Sequence, residues 1–362
     1  MYANDAADAS HEVDPSTKFI QILVGILFGT TTVLGSLGNV LVIIVVYSNK
    51  QMRNSTNILI LSLALADLFF IVICVPFTAI SMTVPVWPFG DVFCKVYQYT
   101  ANVTCYASVY MLVLMSLDRY LAVVYPIWSM NIRSTANALY LVIVSWVVIV
   151  ALTIPIIFET GVYKLDGQEY CVNIKIVEDE IIYQRQTHGR LFYGCFFIFG
   201  YLMPLALVCG LYGLMLHSLT SRRGAVGNQS QQSLRSRKRV TKMIVIVICV
   251  FAVCWLPAHV RFIVQYFFSY PEGTWFYIFQ TLATCLAYMN SCMNPIVYAF
   301  LSENFRKSFR KLICCNATSC NASNNIEIER TQVGGKKDTV VSTNLLVAPV
   351  VSGNGSTMTS SV

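Results

Sequence analysis

The chain has 362 residues, 56% of them hydrophobic and 12% charged, whereas an ordinary soluble domain carries about 25% charged residues. So thin a polar coat excludes a water-soluble fold of this length. The net charge of +7 follows from where the basic residues cluster between apolar runs, so it reads as a topology signal, and no nucleic-acid partner is expected.

The acidic and polar residues 1–18 contain no apolar signal-peptide core, so the first apolar run is expected to act as an uncleaved insertion signal. Beyond them, Phe19–Asn49, Val96–Leu117, Ser134–Phe158 and Gly273–Ser302 contain no charged side chain. Asn54–Gly90 is broken only by Asp67, Leu191–Ser221 only by His217, and Met243–Val260 only by His259. A hydrocarbon core of ~30 Å needs about 20 helical residues at ~1.5 Å each. The reading is an all-α membrane protein, a bundle of seven transmembrane helices at about 19–47, 56–82, 92–124, 136–158, 190–219, 238–268 and 274–300 within residues 19–301. The strand-length alternation of a membrane barrel is absent from these runs.

Residues 302–315 follow as a short cytoplasmic helix. Phe305, Phe309, Leu312 and Ile313 fall on one stripe beside Arg306, Lys307, Arg310 and Lys311, a pattern for lying on membrane lipid. Cys314 and Cys315 at its end are candidates for palmitoylation. Residues 316–362, rich in Ser, Thr, Asn and Gly, read as a disordered tail with phosphorylation sites, and the terminal Ser360-Ser361-Val362 as a candidate PDZ ligand.

Loop charge orients the bundle. With the N-terminus outside, fifteen basic residues face the cytoplasm, seven of them between Arg222 and Lys242, against five on the other side. The positive-inside rule therefore places the N-terminus outside and the C-terminus in the cytoplasm of a multi-pass protein, which is expected in the plasma membrane. Asn54, Asn228, Asn316, Asn321 and Asn354 open Asn-x-Ser/Thr triplets on the inner side, and Asn102 lies within a span, so none is expected to carry glycan. Of the 13 cysteines only Cys94 and Cys171 reach the oxidising side, which argues for one disulfide.

Polar groups within spans carry the functional signal, because each is costly unless paired or hydrated. Asp67 is the one acid deep in a span. Asn39, Ser108, Asn290, Ser291 and Asn294 are the groups able to satisfy it, a set of hard oxygen ligands suited to an allosteric sodium ion. A neutral or water-bridged network is the alternative, and no other cofactor is expected. Asp118-Arg119-Tyr120 ends span three, and Pro204, Pro257 and Pro295 interrupt spans five, six and seven, giving helices that bend at fixed depth.

The set Asn39, Leu63-Ala64-Leu65-Ala66-Asp67, Cys94, Asp118-Arg119-Tyr120, Trp146, Pro204, Cys254-Trp255-Leu256-Pro257 and Asn294-Pro295-Ile296-Val297-Tyr298 resembles the rhodopsin-like G-protein-coupled receptors over roughly residues 19–315. The resemblance implies an outside agonist, an outward swing of span six, and a cytoplasmic cleft for a heterotrimeric G protein lined by Arg119, Tyr212 and Tyr298. It also implies a repacking layer of Pro204, Val109 and Phe251, with Trp255 above it, and later binding of receptor kinases and arrestin. Some members pair the span-three Arg with an acid at the base of span six; the matching residue here is Arg237. Arg119 is thus expected to be held by Asp118 and packing alone, with measurable basal signalling.

Residue types in the upper pocket select the ligand class. Ala101 stands where amine receptors carry an Asp, and Tyr288 where opsins carry a Schiff-base Lys, so amines and retinal are excluded. The remaining lining of Gln98, Asn102, Tyr106, His259, Arg261, Phe262, Gln280 and Tyr288 is rich in aromatic and amide groups, which suits a peptide; for His259 a buried structural role is the alternative. The acidic loop 159–190 either steers a basic peptide or is a solvated face. The segments Met115–Val124, Arg237–Lys242 and Tyr298–Lys307 resemble the allatostatin-A and galanin receptors, implying inhibitory G proteins. Receptors of the somatostatin and opioid group share the last segment and remain an alternative. A seven-span transporter is a remote one, because neither internal repeats nor paired broken helices are present. Spans contain no catalytic constellation, so no enzyme activity is expected.

Overall fold

A computed structural model describes residues 15–84, 86–165, 167–172, 183–221, 231–268 and 273–314. Span one is the helix Pro15–Ser48. Span two runs Ser55–Phe69, passes through a π-helical turn at Phe70–Cys74, and continues as Val75–Thr83. Span three is Gly90–Val124 and span four Thr135–Thr153, followed by a single turn, Ile156–Glu159. Span five repeats the design of span two, with helix Tyr183–Phe197, a π-turn at Ile198–Leu202, then Met203–Ser221. Span six is Gln231–Phe267, span seven Thr274–Leu301, and a last helix covers Glu303–Cys314.

Local chemistry sets these boundaries. Asn54 caps span two by accepting from the Asn57 amide at 3.0 Å, and Ser134 caps span four by accepting from the Asn137 amide at 3.1 Å, each supplying one of the acceptors that a helix start lacks. Both π-turns end just before a proline, Pro76 or Pro204. Proline donates no amide hydrogen and its ring crowds the carbonyl four residues back, and one widened turn absorbs both effects. Pro257 and Pro295 instead sit inside unbroken helices.

Six of the described helical stretches are long and apolar enough to cross a membrane. Span seven is long enough but mixes Thr281, Asn290, Ser291 and Asn294 into its buried side, which lowers its average hydropathy. Outward faces are apolar, as at Leu34, Leu141 and Leu152, where lipid tails meet them. Span three is the hub, packing on spans two, four, five and six, while span one lies against spans two and seven.

Between spans four and five a hairpin caps one end of the bundle. Strands β1 (Gly161–Leu165) and β2 (Gln168–Val172) are antiparallel, and Gly167 takes the φ of +78° that the tight turn requires. Cys171 of β2 is disulfide-bonded to Cys94 of span three, with 5.5 Å between Cα atoms. The Val162 amide donates to Asp91 Oδ1 at 2.9 Å, and the Trp87 amide to the Glu169 carbonyl at 2.6 Å. The disulfide and these two bonds pin the strand pair in place.

Residues up to Leu312 form one compact unit and 313–362 a second, of which only the close of the last helix is described. In that helix Phe305 and Phe309 are buried and Phe305 stacks on Tyr298, with ring centroids 5.6 Å apart. The side chains of Leu312, Ile313 and Cys314 lie outside the described residues, as do Cys315, the tail and its terminal Ser360-Ser361-Val362, residues 1–14, and the acidic residues Glu178, Asp179 and Glu180.

Candidate functional site

In the middle of the bundle, Asp67 is fully enclosed. Its Oδ1 accepts from Ser291 Oγ at 2.8 Å and from Ser108 Oγ at 3.1 Å, and its Oδ2 from Asn294 Nδ2 at 2.7 Å. Spans two, three and seven are thereby tied through one carboxylate. Asn39 joins the cluster indirectly, its Nδ2 donating to the Ser291 carbonyl at 3.1 Å and to the Gly35 carbonyl at 2.9 Å. Among the described residues Asn39 Oδ1, Asn290 Oδ1, Asn294 Oδ1 and the Tyr298 hydroxyl are buried without a partner. Orphaned amide oxygens on Asn39 and Asn294, which belong to the same hydrogen-bonded cluster as the buried carboxylate, are a donor set that fits a small hard cation.

At the end of span three, Asp118 and Arg119 are both buried. Asp118 Oδ1 accepts from Ser55 Oγ at 2.9 Å and from Arg133 Nε at 2.8 Å, and Oδ2 accepts from Thr56 Oγ1 at 2.7 Å. Arg119 donates to Asp118 and, through Nη2, to the Thr56 hydroxyl. Arg119 is thus not held by Asp118 and packing alone: Thr56 of span two holds it too, and Arg133 shares its carboxylate. Two charged groups taken from water need such a set of partners, since a lone buried charge is costly. Tyr120, half-buried beside this group, sets its ring edge-on to Tyr125 at 6.0 Å. Tyr298 is buried, and Tyr212 packs against the same core. Of Arg237 only the helical backbone is described.

Toward the hairpin end, aromatic rings form a continuous layer. Trp255 contacts Phe251 (6.2 Å between centroids), Phe70 (6.2 Å) and Phe196 (6.4 Å), and Phe70 stacks on Tyr288 at 4.7 Å. The Tyr288 hydroxyl meets Thr78 Oγ1 at 2.5 Å, which meets the Tyr97 hydroxyl at 2.8 Å. His259 is buried between Phe196 at 4.9 Å and Tyr201 at 4.8 Å, with neither ring nitrogen bonded. The chemistry around His259 is therefore a packed aromatic cage, one layer below the surface of the pocket.

Gln98, Asn102, Arg261, Phe262 and Gln280 are half-buried above that layer. Gln98 Nε2 lies 3.8 Å from Cys171 Sγ, so the disulfide forms part of the pocket wall. Asn102 Nδ2 is turned back onto the Gln98 carbonyl at 2.9 Å. Arg261 lies over the Phe262 ring at 3.9 Å, and Phe262 stacks on Tyr193 at 4.2 Å. Tyr106 departs from this group: its ring meets the edge of Phe196 at 5.8 Å and faces a separate cleft among spans three, four and five.

Sequence reasoning missed Ser55, Thr56 and Arg133 around Asp118, and Thr78 and Phe196 in the aromatic layer. Ser55 and Thr56 follow a capping Asn and read as the polar start of a helix; one signal was available, since Asp118 needed more donors than Arg119 alone supplies.

The chain matches the family model described as "7 transmembrane receptor (rhodopsin family)" over residues 38–298. It is 45% identical over 299 residues to the allatostatin-A receptor of Bombyx mori, covering 82% of this chain and 81% of that receptor. It is 36% identical to galanin receptor type 1 of Rattus norvegicus, covering 82% of this chain and 83% of that receptor. With galanin receptor 2b of Danio rerio the identity is 35%, covering 85% and 78%. The family model covers well over half of the chain and these relatives match more than four fifths of it, so the chain belongs to the rhodopsin family of seven-transmembrane receptors.

Proposed function

We propose that this chain is a neuropeptide receptor for an allatostatin-A-like or galanin-like peptide and that it activates heterotrimeric G proteins of the inhibitory class. The ligand class is carried by the likeness to receptors named for those two peptides. The half-buried amide and aromatic lining of Gln98, Asn102, Phe262 and Gln280 agrees with it, offering neutral hydrogen bonds to a peptide backbone and aromatic surface to its side chains.

In this reading the N-terminus and hairpin face outward and the basic loop 222–242 faces the cytoplasm. A peptide pressing on Arg261 and Phe262 moves span six through the ring contacts Phe262–Phe196–Trp255–Phe251. Span six then leaves spans three and five, and Arg119 exchanges Asp118 and Thr56 for the G protein. A sodium ion at Asp67, with Asn39, Ser108, Asn290, Ser291 and Asn294 around it, favours the closed packing because it binds only there. Receptor kinases and arrestin act on the tail, lipid holds the last helix through Cys314 and Cys315, and a PDZ protein takes the C-terminus.

The test is a reporter screen of cells expressing the chain against amidated allatostatin-A-like peptides, galanin-like peptides and somatostatin or opioid peptides. A response to the first or second set that pertussis toxin abolishes is expected. A response to the third set alone, or substrate-dependent uptake with no peptide response, overturns the assignment.

A further inference from the structure

A cleft of about 880 Å³ opens among spans three, four and five, apart from the peptide pocket. Its walls include Tyr106, Tyr110, Val148, Leu152, Phe192 and Phe199. Leu152 and Phe199 are strongly exposed, and in a membrane-embedded chain that exposure is toward lipid. Two of the polar groups lining it are internally bonded: Tyr110 donates to the Phe199 carbonyl at 3.2 Å and Thr153 to the Ile149 carbonyl at 2.7 Å. Among the described residues that line it, ionisable acid and imidazole groups occur only at the mouth, where Glu159 Oε2 meets His188 Nδ1 at 3.4 Å and both side chains are exposed.

From Ser145 to Glu159 the cleft follows span four and the turn after it for about 21 Å at ~1.5 Å per residue. One leaflet of a bilayer supplies about 15 Å of hydrocarbon and ~5–7 Å of headgroup region. The dimensions and the polarity gradient of the cleft therefore match a single lipid standing in one leaflet. The acid at its mouth has a histidine as its ionic partner among the described residues, not a fixed cation, which favours a headgroup bearing an ammonium and disfavours one of net negative charge.

We infer that this cleft is a binding site for a glycerophospholipid with an ammonium headgroup, its acyl chain lying between spans four and five and its head at Glu159. The inference needs the spans to cross a bilayer and takes nothing from the peptide assignment.

The experiment uses the full chain in vesicles containing a phosphatidylethanolamine whose acyl chain carries a photoactivatable diazirine and an alkyne. A phosphatidylglycerol with the same chain is the comparison. Expected are cross-links concentrated in residues 145–159 and 188–199. Leu152→Trp, or Val148→Trp where the first expresses poorly, fills the cleft and lowers the yield by about tenfold, the loss of about 1.4 kcal/mol of affinity. Val147→Trp, on the exposed face of the same helix but outside the cleft, leaves the yield unchanged. Glu159→Gln lowers phosphatidylethanolamine labelling several-fold and brings it level with phosphatidylglycerol. Labelling spread evenly over all lipid-facing helices, or indifferent to both cleft-filling variants, overturns the site. Equal labelling of the native chain by the two lipids overturns the headgroup.

Discussion

Thr56 shows how one hydroxyl ties two spans together. It donates to Asp118 and accepts from Arg119, closing a triangle between spans two and three where some relatives in the family use an acid on span six. A hydrogen bond to a charged group is worth about 1.5–3 kcal/mol, so removing it shifts a two-state equilibrium by about tenfold or more. Thr56→Val keeps the shape, and we expect basal nucleotide exchange to rise several-fold over the native chain at equal surface expression; unchanged basal exchange would show that the triangle does not restrain Arg119. Asp67→Asn keeps the hydrogen bonds to Ser108 and Ser291 within reach and removes the charge. Agonist affinity in membranes is expected to fall with added sodium for the native chain and to be flat for this variant. Equal sodium dependence in both would exclude an ion at Asp67. The Asp67 cluster was legible in the sequence because a lone acid in an apolar run has few candidates to satisfy it. The Thr56 triangle was not legible, because a hydroxyl one residue into a helix reads as capping.

At the scale of elements, two close approaches and one covalent tie hold the bundle's shape. A Cβ added at Gly38 would lie 3.0 Å from Pro295 Cβ, and one at Gly35 2.6 Å from Cys292 Sγ, so span one rests directly on span seven around Pro295. Gly38→Val is expected to lower the midpoint of thermal unfolding in detergent, in keeping with the ~1–3 kcal/mol typical of overpacking; an unaltered midpoint would mean that span one is free to shift. The disulfide closes a loop of 77 residues, and losing a native bridge typically costs ~2–5 kcal/mol in small secreted domains. Cys94→Ser, Cys171→Ser and the double variant are therefore expected to lose peptide binding to the same extent, because each frees the hairpin from the pocket wall. The prolines announced bends, yet the two outcomes, a π-turn before Pro76 and Pro204 and an unbroken helix at Pro257 and Pro295, depend on packing against neighbours that no local pattern encodes. The hairpin escaped notice for a related reason: its five-residue strands are stabilised by Cys94, Asp91 and Trp87, all distant in sequence.

For the molecule as a whole, the number and order of helices followed from uncharged runs, since a bilayer imposes its own length on any helix that crosses it. The candidate switch residues came from motif resemblance, and the structure adds a chain of ring contacts from Phe262 to Phe251 toward the hairpin end and the Arg119 triangle at the other end. The two are joined by span three, which packs on four other spans. In the proposed function, displacement of span six at one end opens the other. The most direct measurement is peptide-stimulated nucleotide exchange on a purified inhibitory G protein by membranes carrying either the native chain or Arg119→Ala, with surface level and peptide binding matched. The native chain is expected to respond, and the variant to bind peptide without stimulating exchange. Full stimulation by Arg119→Ala would contradict the account at its centre.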